Sequence, residues 1–305
     1  MDDRLNIFWS KLRWKLYLPE YTYRPKQILR RIGRKISRQT GYQIVRMPWG
    51  VDLRIRLPEL ISNSIWFKGI FDIVVAETIW RLLDEGDLAL DVGANFGYLT
   101  SLMATRVGEH GRVIAFEPHP TLFEELEANV ELLNNGLKTA AIETRMTALS
   151  SQNGAGNLVM PPSWDGNRGA GFVSADAGTE CSVEIKLERL DDVFTGDTTI
   201  TLAKFDVEDH EFEAFCGAER LLSCGAIRDI VFEDQRNADS PAKVELRRHG
   251  YTLFSMAKRF HGPKLCDIDG SGTSSRDDPN FLATLNPDRA IARMKGRGWQ
   301  VLREG

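Results

Sequence analysis

The chain has 305 residues, 42% of them hydrophobic, and a formal net charge of −4. That is enough apolar chain for one large α/β domain with extensions, and with no run of about 18 apolar residues no transmembrane helix is expected. Four cysteines, Cys181, Cys216, Cys224 and Cys266, show neither Cys-x-x-Cys pairing nor zinc spacing and read as reduced thiols of a cytoplasmic protein.

Charge is uneven along the chain. Residues 1–41 carry eleven Lys and Arg against the acids Asp2, Asp3 and Glu20, whereas Glu188–Asp234 is strongly acidic. Leu5, Phe8, Trp9, Leu12 and Leu16 fall at helical spacing, with Arg4, Lys11 and Lys15 toward the other side. Ile28, Leu29, Ile32 and Ile36 repeat the pattern among Arg30, Arg31, Arg34, Lys35 and Arg38. Such an arm either lies on an anionic membrane surface, here the inner membrane, or packs on the domain or a partner subunit. The N-terminus lacks an apolar core and a small-residue cleavage site, so it does not read as a secretory signal. No recognised nucleic-acid motif accompanies the basic residues, so nucleic acid is not expected as a partner. Oligomeric state stays open.

Gln43–Arg46 and Val51–Leu57 form a predicted hairpin across Pro48-Trp49-Gly50. Val74–Leu83 is an amphipathic helix leading to a strand at Leu88–Asp91. A helix follows from Asn95 or Phe96 to about Arg106, then a turn at Gly108–Gly111 and a strand at Val113–Phe116. Pro118 and Pro120 end that strand, and Leu122–Leu133 is helical. Ile142–Leu149 is a third strand, and Ser150–Gly178, rich in Gly, Ser, Asn and Pro, is a long loop expected, with Lys264–Pro279, to shape a substrate pocket. Cys181–Leu187, Thr199–Val207, Asp229–Glu233, Tyr251–Phe254 and Phe281–Leu285 are strands. Leu190–Phe194, Glu211–Leu222 and Pro241–His249 are helices, and Lys264–Pro279 is a polar loop. Alternating strands and helices predict a doubly wound, mostly parallel sheet. The expected division is an arm over 1–41, a hairpin and helix over 42–87, the main domain over 88–288 and a basic tail over 289–305.

The segment from Leu88 to Pro120 is one β-α-β unit with a ligand crevice at the carboxyl edge of its strands. Asp91 ends the first strand, Gly93 and Gly97 shape the turn, and Glu117, ending the second strand, is placed to accept hydrogen bonds from ribose hydroxyls. The dinucleotide fingerprint needs a middle glycine for the pyrophosphate, and this chain has Asn95 there. S-adenosylmethionine has no phosphate, and its cationic amino-acid end favours a carboxylate such as Asp91. A second constellation, Ala203–Glu211, closes another strand on the same edge. Asp206 and Glu208 share a face, and Glu233 ends the neighbouring strand. Clustered carboxylates raise one another's pKa toward the range of a general base, and His210 is a second candidate base. Asp206, Glu208 and Glu233 are also hard-oxygen ligands for a divalent cation. Lys204 reads as the partner of an acid, and Asp209 as a helix cap.

Together, DVGANFGYLT (Asp91–Thr100), GRVIAFEPHP (Gly111–Pro120), TALS (Thr147–Ser150), LERLDDVF (Leu187–Phe194), KFDVEDHEFEAFCGAERLL (Lys204–Leu222) and DIVFED (Asp229–Asp234) resemble the FkbM-type family of S-adenosylmethionine-dependent methyltransferases. The resemblance runs from about Gly69 to Phe254. It implies a Rossmann-like class I methyltransferase fold, a seven-stranded sheet with an antiparallel last strand, and O-methylation of a sugar, glycoconjugate or natural-product hydroxyl. It places Asp91, Gly93, Asn95 and Gly97 at the donor's amino-acid end, Glu117 at the ribose, and Ala148 and Leu149 near the adenine; Ala94 and Pro118 are further candidate donor-binding residues. Asp206 and Glu208 then face the transfer centre, with His210 and Glu233 beside them. One departure stands out: the family usually has Gly after that Glu, and Asp209 in its place is expected to narrow the site and add charge. Two other functions are weighed on the same sheet, an NAD-dependent oxidoreductase and a non-catalytic module binding membrane or partner through its arm.

Overall fold

The computed structural model describes residues 18–37, 39–136, 138–174, 181–236, 238–268 and 280–303. The expected helix Leu5–Leu16 lies outside them. The second arm helix forms as Lys26–Ser37, following a short turn of helix at Pro19–Thr22. Part of its basic face is bound to the domain: Arg34 lies 4.1 Å over the Trp66 ring and Arg31 donates to the Tyr21 hydroxyl. Leu29 and Ile32, 73% and 55% exposed, face outward.

Strands β1 (Gly41–Arg46) and β2 (Asp52–Leu57) make the expected hairpin, in register from Gly41↔Leu57 to Arg46↔Asp52. Two helices follow. Leu60–Lys68 is capped by the Glu59 carboxylate, which accepts from the N–H groups of Ile61 and Ser62. Ile73–Leu82 is capped by Asp72.

The chain then enters the main sheet. β3 (Leu88–Val92), β4 (Arg112–Phe116) and β5 (Ala141–Arg145) are parallel, with the helices Tyr98–Val107 and Pro120–Asn134 crossing between them. β6 (Ala148–Leu149), β7 (Gly154–Val159), β8 (Phe172–Ser174) and β9 (Ser182–Glu188) form a separate sheet in the order β6-β9-β7-β8. β10 (Ile200–Phe205) and β11 (Ile227–Glu233) rejoin the main sheet in parallel. β12 (Thr252–Arg259), β13 (Gly262–Asp267) and β14 (Asn280–Thr284) complete it. The final order is β13-β12-β14-β11-β10-β3-β4-β5, with β14 antiparallel to both neighbours.

This is the doubly wound, mostly parallel sheet with an antiparallel last strand that the sequence implies, but it has eight strands rather than seven. The extra one is β13, in a segment read as polar loop. It is an edge strand paired only with β12, and one exposed side leaves a weak apolar pattern. The expected strand Ile142–Leu149 is two strands, β5 and β6, in different sheets. Nor is Ser150–Gly178 a plain loop, since β7 and β8 lie within it. One of its glycines serves packing: a Cβ on Gly156 would meet the Leu187 side chain at 3.0 Å. The expected helix Glu211–Leu222 breaks into Glu211–Cys216 and Glu219–Ser223. Between them Gly217 rests against Ser150, where a Cβ would stand 2.0 Å from the carbonyl oxygen.

Side chains alternate along the buried strands, so neighbours serve opposite faces. Ala89 and Leu202 join the core with the hairpin and the helix Ile73–Leu82, while Leu90 and Ala203 join the one with Phe215 and Leu246. The segment 289–303, expected as a basic tail, is docked on the first of these cores. Glu77 accepts from the N–H groups of Gln300 and Val301 at 2.9 and 2.8 Å. Arg81 pairs with Glu77 at 2.6 Å and donates to the Gly296 and Gly298 carbonyls. Trp299 is 0% exposed and donates from its indole to the Phe260 carbonyl. Trp299→Ala is therefore expected to cost about 3–5 kcal/mol in chemical denaturation. A loss below about 1 kcal/mol, the scale of surface changes, would show that this segment does not stabilise the core.

Candidate active site

The carboxyl ends of β3, β4, β10 and β11 open into a cavity of about 340 Å³. β10 lies beside β3 with Lys204 in register with Asp91. The Lys204 ammonium donates to the Gly93 carbonyl at 2.7 Å and stands 3.4 Å from Asp91 Oδ1 and 3.6 Å from Asp206 Oδ2. Burial works against that charge, but Asp206 and Asp91 outweigh it and hold the pKa above the ordinary lysine value. Asp91 is fully buried. Its Oδ2 accepts from Thr100 Oγ1 at 2.6 Å, while Oδ1 has the Lys204 charge nearby but no hydrogen bond. Burial pushes the Asp91 carboxyl up, and Lys204 opposes it.

Gly93 has φ 76. A Cβ there would stand 2.0 Å from the Asp206 carbonyl oxygen, so only glycine lets β3 and β10 end this close together. The N–H groups of Gly93 and Ala94 both donate to the Phe116 carbonyl. Asn95 takes φ 52, and its own N–H donates to Glu117 Oε2 at 2.8 Å. Glu117 Oε1 accepts from the His119 N–H at 2.9 Å. Burial still pushes the Glu117 carboxyl up to about 7. Gly97, at φ 88, opens the helix Tyr98–Val107, and a Cβ on it would stand 2.8 Å from Leu126. Pro118, Ala148 and Leu149 complete this wall of the cavity.

The opposite wall is acidic. Asp206, Glu208 and Glu233 all line it. Burial, together with the charges of Asp206 and Glu233, pushes Glu208 up to about 7. Burial and Asp206 also raise Glu233. Glu211 accepts from the Val207 N–H and is likewise pushed up to about 7 by burial. His210 lines the cavity, with its Nε2 3.0 Å from Ser150 Oγ; burial lowers its pKa, and Glu213 opposes the shift. Among the described residues no three His, Cys, Asp or Glu are grouped to hold a metal ion, so the divalent-cation role for Asp206, Glu208 and Glu233 finds no support.

Asp209 does not narrow the site. It takes φ 69 directly after Glu208 at φ 51, and this left-handed pair turns Asp209 to solvent, outside the cavity lining. Several residues enter the site without having been expected there. Asp72, at φ 29, caps the helix Ile73–Leu82 and accepts from Asn280 Nδ2 at 2.8 Å, beside Glu233. Burial pushes its carboxyl up, and Asp206 adds to the effect. An Asp before an apolar helix is readable as a cap, but its place on the cavity is set by tertiary packing. His119 also lines the cavity, and Trp164 and Arg168 reach it from Ser150–Gly178, the segment expected to shape the pocket.

The strand order and the glycine turn facing an acid at the next strand end define a class I methyltransferase architecture. The chain belongs to the FkbM methyltransferase family: the methyltransferase FkbM domain matches residues 91–253, just over half of it. It is similar to the hexuronic acid methyltransferase AglP of Haloferax volcanii, 29% identical over 203 residues, which span 61% of this chain and 77% of that one. It is also similar to the methyltransferase sdnD of Sordaria araneosa, 30% identical over 179 residues, or 50% and 67% of the two chains. A solved methyltransferase FkbM structure from Methylobacillus flagellatus aligns at TM-score 0.41 and 14% identity, covering 74% of this chain and about half, 48%, of that one. Family membership replaces the oxidoreductase alternative.

Asp209 does add charge, as the last of the four acids that raise Glu208, but it is exposed at φ 69 and outside the cavity lining, so Asp209→Gly relieves backbone strain while removing only that distant charge. Denaturant titration is expected to show a gain of up to about 1 kcal/mol, with ligand affinity unchanged. A loss of stability would mean that the Asp209 side chain holds the turn.

Proposed function

We propose that the protein transfers a methyl group from S-adenosylmethionine to a hydroxyl of a sugar, glycoconjugate or natural product. The observation that carries this reading is Glu208, a cavity-lining carboxyl poised at about 7 between Asp206 and Glu233. The sulfonium donor, when bound, supplies an activated methyl carbon and a neutral leaving thioether. Residues on the opposite wall suit such a donor. Asp91, whose carboxylate already pairs with Lys204, sets negative charge on the cavity that suits a cationic amino acid, and Gly93 keeps the turn free of a side chain. Glu117 offers its carboxylate to ribose hydroxyls, and Pro118, Ala148 and Leu149 give the adenine a largely apolar wall.

The chain's part in the chemistry is then orientation and proton acceptance. Glu208 takes the hydroxyl proton as the acceptor oxygen attacks. Asp206 and Glu233 keep its proton affinity near neutrality, and Asp72 with Asn280 bounds the acceptor side of the cavity. The name of the hexuronic acid relative agrees with a polyhydroxylated acceptor.

Calorimetric titration tests the donor. The chain is expected to bind S-adenosylhomocysteine, and Gly93→Arg to abolish binding; no binding by the unaltered chain would sink the reading. A labelled-donor screen against sugars and glycan precursors then tests the acceptor, with label expected in an alkali-stable ether. Glu208→Gln is expected to lower kcat by about 10²–10⁴-fold while leaving S-adenosylhomocysteine affinity in place. The base works deprotonated, so kcat/KM should fall tenfold per unit as pH drops below about 7 and level off above it. A flat profile from pH 5 to 8 would remove Glu208 from that role.

A further inference from the structure

The turn Trp164–Gly169 lies across the site. Trp164 stacks on His119 with ring centroids 4.4 Å apart. At the other end, a Cβ on Gly169 would come within 3.5 Å of Asn95 Nδ2. His119 and Asn95 are the two residues whose N–H groups bond the Glu117 carboxylate, so the turn spans that acid. Arg168 is 3% exposed. Its Nη1 donates at 2.9 Å to Glu125 Oε1, which also accepts from the Tyr42 hydroxyl. The guanidinium is thereby fixed to the helix Pro120–Asn134. Its Nη2 stands 2.9 Å from the same Oε1 as an ion pair without hydrogen-bond geometry. Its Nε, however, finds no acceptor among the described residues, and neither does the indole Nε1 of Trp164. Both atoms are buried, and both residues line the cavity. Buried N–H groups are almost always paired, and one left without an acceptor carries a desolvation penalty that a ligand can remove.

We propose that Trp164 Nε1 and Arg168 Nε donate hydrogen bonds to the adenosyl half of the donor, so that Trp164–Gly169 covers it above Glu117. The charge of Arg168 is already met by Glu125, which suits an uncharged group rich in acceptors, such as ribose oxygens and purine nitrogens, rather than a second anion. Trp164 and Arg168 would thus hold the adenosyl group from one side while the β4 edge holds it from the other. The inference rests on the donor reading above and adds two specific contacts to it.

Calorimetry with S-adenosylhomocysteine and with methylthioadenosine, which keeps the adenosyl half and lacks the amino acid, separates the possibilities. Trp164→Phe keeps a ring against His119 and removes the N–H. Arg168→Lys keeps a cation beside Glu125 and removes Nε. Each is expected to weaken both ligands by the same factor, about three- to tenfold, with circular dichroism unchanged. Unchanged affinity in both variants overturns the proposal, as does a loss confined to S-adenosylhomocysteine, which would put the contact on the amino-acid half. If the unaltered chain binds neither ligand, the donor reading fails and this one falls with it. Normal binding by the unaltered chain with insensitive variants overturns the two contacts alone.

Discussion

Lys204 puts a positive charge inside the molecule at the point where β3 and β10 end, and the arrangement of the cleft follows from how that charge is satisfied. A buried ammonium costs several kcal/mol unless it is paired and hydrogen-bonded. Here Asp91 and Asp206 flank it and the Gly93 carbonyl accepts from it. Those three groups come from two different strand ends, so meeting one charge ties the glycine turn to the acidic segment that follows β10. The tie is close enough that the Gly93 α-carbon meets the Asp206 carbonyl. The glycine-turn side and the acidic side of the cavity are therefore set at a fixed separation. The interaction is less a source of net stability than a device for geometry, which is where buried ion pairs are best attested.

The same cleft collects backbone strain. Asp72, Asn95, Glu208 and Asp209 are the non-glycine residues with positive φ among those described, and the first three line the cavity. Left-handed backbone at such residues costs on the order of 1–3 kcal/mol each and persists only where the surroundings impose it. At Asn95 the imposition is visible: its N–H is held by Glu117, and its side-chain oxygen accepts from the Phe96 N–H. At Asp72 it is the dual hold of Val75 and Asn280. At Glu208 and Asp209 the tight turn between β10 and the next helix forces the pair. Asp72 and Glu208 put carboxyls on the cavity, and Asn95 holds that of Glu117 through its N–H.

How much of this could be read beforehand depended on the kind of pattern. Strands buried on both faces announce themselves as apolar runs, so β3, β4, β10 and β11 were legible, and with them the acids at their ends. Asp91, Glu117, Asp206, Glu208 and Glu233 were placed on one edge by counting strand ends alone. Patterns with one wet face were weaker, which is why β13 passed for loop and why β7 and β8 hid among Gly and Ser. Asp209 shows a second limit. Residue type and position predicted crowding, but a left-handed φ reverses where the side chain points, and no spacing rule carries that sign. Asp72, Asn280, Trp164 and Arg168 come to the site from 19 to 189 residues away in sequence from Asp91, by packing that is specified nowhere locally.

A base poised near neutrality is also a liability to the fold, and the molecule shows how that liability is contained. Glu117, Glu208 and Glu211 each have a carboxyl pushed from 4.5 to about 7 by burial. Their folded-state values lie above the unfolded ones, so the fold binds these protons more tightly than the open chain does. The resulting contribution to stability is present in full below about 4.5 and is lost as pH rises to about 7. Glu117 offsets its burial with two N–H bonds, and Glu211 with one from Val207. Glu208 has no comparable bond among those found, and its causes are burial and four neighbouring acids. Of the three, it is the one whose charge is left uncompensated at the cavity wall. In the proposed reaction that is where the acceptor hydroxyl gives up its proton.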